Sequence, residues 1–500
     1  MTPLLLEVNG RCLLRELDTA LARPATLAEL PEATLDLWQS RGVTHLWLMG
    51  LWPTGPIARR IALEHPGLRR QYQAVLPDWQ PGDVAGSPYA VAAYEVPERY
   101  GGAVALAQFR RRLHARGIRL LLDFVPNHVG LDHLWVRDHP EWFVRSPVPR
   151  PGTFPWASGV GAFPEQASPH AWLAHGRDPW FPPWTDTAQL DYRSAGARRA
   201  MIETLQRLAG YCDGVRCDMA MLVLERVFEQ TWAEWTTPQD ATTGEFWAEA
   251  IEAVRGTHSD FVFLAEVYWG LETELLNLGF DFVYDKTLYD LLAAGEGPRV
   301  QDHLLGLAPA ILSRGVHFLE NHDEVRAAEV FPPERHRAAA WIAWALPGVR
   351  FVHEGQWEGR RARVPVQLQR RPYEAPDPWI SRMYDDIQRV MGRAGVGRGL
   401  PQVLVPRAAW VGNPTGRNFV LVLWQTEVHR FTLVAVHYAP HPGQCRAPWP
   451  AGAAPARRWR VHEHGAGWND LRNAAMLERE GIYLDLPAWG VQVLEFQRAD

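Results

Sequence analysis

Short apolar runs alternate with amphipathic segments from the start of the chain to about residue 397. Eight runs read as strands: LLLEVNG (4–10), THLWLMG (44–50), IRLLLDFV (118–125), CDGVRCD (212–218), FVFLAEV (261–267), FDFVYD (280–285), GVHFLEN (315–321) and GVRFVHE (348–354). They are continuous rather than alternating, as strands covered on both faces should be. The segments between them carry helical periodicity. Leu106, Phe109 and Leu113 share one face, with Gly117 suited to a left-handed cap. Met201, Ile202, Leu205, Leu208 and Ala209 share another, which Gly210 is expected to close. Eight strands, each followed by a helix, predict an α/β fold, a (β/α)8 TIM barrel. An open doubly wound sheet is the competing architecture, but no Gly-rich phosphate loop follows the first run.

Two stretches interrupt the repeat. Residues 130–190, after the third run, are rich in Pro and Trp and show no clear period, so a small inserted domain is expected there. Residues 51–100 form a second long excursion, expected to be partly helical at its start. From about residue 398 the runs NFVLVLWQ, RFTLVAVHYAP, RWRVHEH, IYLDLP and VQVLEFQ, separated by Pro, Gly and polar turns, predict a C-terminal β-sandwich. The expected division is therefore a barrel over 1–129 and 191–397, an inserted domain over 130–190, and a sandwich over 398–500.

Composition narrows the partners. A net charge of −6, with no basic tail or Arg stripe, argues against nucleic acid. No apolar stretch approaches the ~18 residues needed to span a bilayer. The first apolar run is too short for a secretory signal and lacks a basic lead. Cys12, Cys212, Cys217 and Cys445 have neither zinc spacing nor disulfide-scaffold density. A cytoplasmic location, with no membrane partner, cofactor or metal, is expected.

Catalytic groups in such a barrel sit where strands end and βα loops begin. Asp123, Asp218, Glu266 and Asp323 fall at the ends of the third, fourth, fifth and seventh runs. One buried carboxylate there reads as a cap or turn residue, but four on one rim do not. In VRCD, Arg216 and Asp218 are two apart and emerge on the same side of a strand. The guanidinium favours the ionised carboxylate, which suits a nucleophile, although a structural ion pair fits the same pattern. Glu266 lies in LAEV, and an apolar setting with neighbouring carboxylates is expected to keep it protonated as a general acid. Two carboxylates in opposed environments are what a retaining glycosidase uses.

DFVPNH (123–128), DGVRCD (213–218), AEVYW (265–269) and FLENHD (318–323) resemble, in order and strand context, the four signature regions of the α-amylase family, glycoside hydrolase family 13. GSPYAVAAY (86–94) is similar to the segment before the first region. The resemblance implies Asp218 as nucleophile, Glu266 as acid/base, and Asp323 as a third carboxylate that holds sugar hydroxyls. It implies Arg216 as the group orienting the nucleophile, with His128 and His322 on the same glucosyl unit. Tyr89 takes the place of a ring that stacks on sugar, and Asp123 with Asn127 supports the site.

This chain departs from the family in two places. Met221 and Leu222 stand where many members carry an acceptor-side His preceded by Lys. Gln189 stands where an Asp commonly binds calcium, and a neutral amide is a weaker ligand for a hard cation. Weaker signals surround these motifs. Trp135, Trp142, Trp156, Trp172, Trp180 and Trp184 crowd the inserted segment, mostly as its core, with one or two as sugar platforms. Lys286, the chain's only lysine, follows the sixth run at the rim. The cluster Arg360, Arg361, Arg363, Arg370 and Arg371 reads as a solvated face, with a phosphate site as the alternative. The expected activity is retaining hydrolysis of α-glucosidic bonds in malto-oligosaccharides or a related α-glucan. The alternatives are a transglycosylase, phosphorylase or isomerase of the same family, and a non-catalytic glucan-binding protein.

Overall fold

A computed structural model describes residues 2–499 apart from 159–160, 164–168, 451–452 and 454. Each of the eight runs contains a strand: β1 (Leu4–Asn9), β2 (His45–Met49), β3 (Arg119–Phe124), β4 (Gly214–Cys217), β5 (Val262–Ala265), β6 (Phe282–Tyr284), β7 (Gly315–His317) and β8 (Val349–His353). They form a closed barrel in sequence order, with β8 returning to β1. Almost every strand residue is buried, because the barrel interior covers one face and the helices the other. That double burial is why the runs lack alternation.

The chain comprises two compact units. One is Leu6–Tyr284 with Ala362–Tyr373, and the other is Met1–Leu5, Asp285–Arg361 and Glu374–Asp500. In the first, β2 to β6 pair in parallel, and the register sets Cys217 beside both Phe124 and Ala265. Gly214 permits this approach: a Cβ there would lie 2.6 Å from the Val262 carbonyl. Helices Pro56–Glu64 and Pro66–Val75 occupy the start of the long excursion after β2, each opened by a proline at its first turn. The helix carrying Leu106, Phe109 and Leu113 spans Gly102–His114 and buries all three. The helix after residue 194 runs Ala195–Tyr211, so Gly210 lies inside it rather than closing it. Residues 128–189 hold a two-stranded pairing, His128–Gly130 with Thr187–Gln189, and a four-stranded antiparallel sheet. Their strands are two to five residues long, too short for a period to register.

The second unit includes the C-terminal sheets. A six-stranded antiparallel sheet and a three-stranded one share a core built on Leu421, Leu433, Cys445, Trp459, Leu484 and Phe496. The five expected runs are strands, but Leu400–Leu404, Arg407–Ala408, Gly443–Ala447 and Asn469–Asn473 also pair. Their polar, half-exposed sequences carry little apolar signal. Strand Phe419–Glu427 is buried on both faces over its first six residues, and Trp424 donates its indole N–H to the Ala345 carbonyl at the end of helix Pro333–Ala345.

Candidate active site

The register of β4 against β5 brings Asp218 and Glu266 to one level, each the first residue past its strand. Two main-chain bonds hold them there: Asp218 N–H to the Phe124 carbonyl (2.9 Å) and Glu266 N–H to the Cys217 carbonyl (3.0 Å). Arg216, fully buried, reaches both carboxylates. Its Nη1 donates to Asp218 Oδ1 at 2.7 Å, and its Nη2 lies 2.7 Å from Glu266 Oε2, as a charge contact outside hydrogen-bond alignment. Burial opposes its charge, but facing Glu266, Tyr284, Tyr89 and Asp218 hold the guanidinium well above its usual basicity. The rings of Trp47, Tyr89 and Tyr284 lie around it, with centroids 4.9, 5.5 and 5.7 Å from Cζ.

Glu266 is not in the apolar setting expected from LAEV. Besides Arg216, it accepts the Met219 N–H at 2.7 Å and the Tyr268 hydroxyl at 2.6 Å. Alternation along the chain could not reveal this, because the donors come from a different loop and from the turn beyond the strand. Two non-glycine residues adopt left-handed backbone here: Met219 (φ 42) directly after Asp218, and Trp269 (φ 66) three residues after Glu266. Such conformations cost ~1–3 kcal/mol and cluster where a site requires them. Met219's turn is what aims its N–H at Glu266.

The supporting residues lie within β3 and just beyond it. Asp123, inside β3 rather than at its end, accepts Trp47 Nε1 (2.9 Å) and the Gly50 N–H (2.7 Å). Asn127 and Gln189 bond to each other through their side-chain amides. Gln189 Nε2 also donates to the Asn127 and Leu190 carbonyls. At the calcium-type position, the oxygens that could face a cation thus receive amide N–H donors. No metal-binding group of three or more His, Cys, Asp or Glu occurs among the described residues. His128 is buried against the Trp184 ring (5.1 Å); desolvation, against a bond to the Tyr89 main chain, pulls its pKa down to about 3, so it is neutral.

Met221 and Leu222 are buried. Close by in sequence, a cleft of ≈ 420 Å³ is lined by Arg177, Trp180, Arg226, Gln230 and Trp269 among others. Trp180 is 71% exposed and Trp269 44%. Of the six tryptophans in the insertion, Trp135 and Trp142 pack edge to face, and Trp156 is buried with its indole N–H on the Val136 carbonyl. Trp180 lines this cleft and Trp184 packs on His128.

The second unit carries the remaining candidates. Asp323 stands six residues beyond the end of β7, in a turn where Asn321 Oδ1 caps its N–H (2.9 Å) and that of Glu324 (3.0 Å). His322 Nε2 lies 2.9 Å from Asp323 Oδ2. Lys286 opens helix Lys286–Ala294 and contacts Asp290 and Glu324. Of the 360–371 arginine cluster, Arg361 in this unit pairs with Glu329, whereas Arg370 and Arg371 belong to the first unit, where they pair with Asp83 and Asp78 and with Glu16. Trp47, Met219, Tyr268 and Tyr284 were not legible as site residues. Tyr284, last in β6, carried one hint, a polar tip at a strand end, and Tyr268 another, its place in AEVYW.

Paired carboxylates just past the fourth and fifth strands of a closed parallel barrel stand where (β/α)8 barrels carry their catalytic groups. Residues 83–280 match the family model for the alpha amylase catalytic domain. It is 24% identical over 277 residues to Alpha-amylase MalA of Haloarcula japonica, covering 54% of this chain and 36% of that protein. It is 22% identical over 373 residues to Alpha-amylase 3 of Dictyoglomus thermophilum, covering 70% of this chain and 63% of that protein. The chain thus matches less than two thirds of either relative's length. In fold it resembles the maltogenic α-amylase AmyB of Thermotoga neapolitana, with TM-score 0.67 and 17% identity over 99% of both chains.

Proposed function

We propose that this protein is a retaining α-glycoside hydrolase acting on malto-oligosaccharides or a related α-glucan. The observation that carries the reading is one buried guanidinium spanning Asp218 and Glu266 at the level where two parallel strands end. Two carboxylates and one guanidinium sum to a single negative charge, so one added proton makes the cluster neutral. The double displacement runs as follows. An Asp218 oxygen attacks the anomeric carbon while Glu266 gives its proton to the departing glycosidic oxygen, forming a covalent glycosyl-enzyme. Glu266 then takes a proton from water as that water attacks the same carbon, releasing Asp218. Arg216 holds Asp218 ionised and oriented, and the Met219 N–H with the Tyr268 hydroxyl keeps Glu266 in place. On the strength of the FLENHD and DFVPNH motifs we assign Asp323 to sugar hydroxyls and His322 and His128 to binding a glucosyl unit, and on GSPYAVAAY we assign Tyr89 to stacking on sugar. The exposed Trp180 and Trp269 beside Arg177 and Arg226 support a sugar chain as substrate, since flat apolar faces flanked by donors suit pyranose rings.

The division into barrel (1–129, 191–397), insertion (130–190) and sandwich (398–500) is retained with this proposal. So is a cytoplasmic location, supported by four cysteines that are all buried. Among the described residues no helix is long and apolar enough to cross a membrane. Product analysis with maltotriose, with and without phosphate, tests the reaction: glucose and maltose should dominate. Longer oligosaccharides or a sugar phosphate appearing faster than glucose would reject hydrolysis. Asp218→Ala should abolish turnover while the protein still unfolds cooperatively, and unchanged activity would reject the site.

A further inference from the structure

The first turn of helix Lys286–Ala294 grips the loop after β7 at both ends. At the loop's start, Tyr289 stacks on Phe318, with centroids 5.5 Å apart and planes 20° from parallel. At its end, Glu324 Oε1 lies 3.2 Å from Lys286 Nζ and its carboxylate is hydrogen-bonded to Tyr289. Lys286 is itself steadied: Nζ pairs with Asp290 one turn on and sits 4.9 Å from the centroid of the Tyr289 ring. Between the two grips, Asn321 caps both Asp323 and Glu324, so these successive carboxylates belong to one rigid turn. Glu324 is drawn back and 21% exposed, whereas Asp323 is 47% exposed and braced by His322.

We propose that Lys286 is a positioning residue, which clamps Glu324 and thereby fixes the direction in which Asp323 is offered to sugar. The inference rests on the reading of Asp323 as a substrate-holding carboxylate. It also accounts for a lysine in a chain whose other such cations are all arginine. A compact ammonium can serve Asp290 and Glu324 from above a ring, where a planar guanidinium would have to choose one fork direction.

The test uses the full chain with 4-nitrophenyl α-maltotrioside. Lys286→Met and Glu324→Gln should each lower kcat/KM by ~10–100-fold, the scale of a misplacement of about 1 Å. Melting temperature should barely move, because a half-exposed ion pair contributes little stability. The double variant should be no worse than either single one, since both remove the same contact. Lys286→Arg should recover only part of the loss. Single variants within twofold of wild type, or losses that multiply in the double variant, would overturn the clamp. If Lys286→Met fails to fold, Glu324→Gln breaks the contact from its other side. Asp323→Asn separates the two readings. If it is inactive while Lys286→Met is normal, the clamp alone falls; if Asp323→Asn is fully active, the assignment of Asp323 falls with it.

Discussion

Replacing Arg216 with methionine removes the charge but keeps much of the side chain's bulk. Each of its carboxylate contacts is 2.7 Å long. At an effective dielectric constant of ~20, each corresponds to a gross attraction of about 6 kcal/mol. Most of this is offset by the desolvation of a fully buried guanidinium. Breaking a buried charge network by removing one partner typically costs about 3–5 kcal/mol net. In the variant, Asp218 (7% exposed) and Glu266 (3% exposed) remain at one level with no cation between them. Like charges then raise a folded-state pKa above the unfolded value of about 4. The sign follows: the penalty is complete above the raised folded pKa and vanishes below the unfolded one, so it is larger at pH 8 than near pH 4.5. Thermal unfolding at both pH values, at one scan rate, should show a deficit of several degrees at pH 8 that shrinks by half or more at pH 4.5. Turnover of 4-nitrophenyl α-maltotrioside should fall by ~10²–10³-fold, equivalent to about 3–4 kcal/mol in the barrier. A deficit of equal size at both pH values, or turnover within a few fold of wild type, would refute the bridging role.

Two further outcomes follow from the same structure. Trp269→Ala should raise KM for maltoheptaose by ~10-fold with kcat less affected, because an aromatic platform contributes ~1 kcal/mol or more to binding; equal KM values would remove the cleft from the substrate path. Burial lifts the Asp186 pKa to about 6, above the unfolded value, so its ionisation penalises the folded state above pH 6 and not below about 4. Asp186→Asn should therefore raise the unfolding free energy at pH 8 by at most about 3 kcal/mol and leave it unchanged near pH 4. A pH-independent effect would contradict the desolvated setting.

The pattern of apolar runs determined the barrel. Double burial writes itself as uninterrupted Val, Leu and Phe, and all eight runs are strands. It also placed Arg216 and Asp218 on one side of β4, since two residues apart along a strand share a face. Side-chain periodicity is local, and it carried no information on what approaches from another strand or loop. Tertiary structure alone decided that Glu266 receives Met219, Tyr268 and Arg216 rather than an apolar wall. It also decided that Trp47 and Gly50 secure Asp123, and that Gln189 closes on Asn127. The short strands of the insertion and the polar strands of the sandwich were invisible for a related reason. Several of them pair with partners distant in sequence, and a run of two to five residues holds too few positions to record which face is buried.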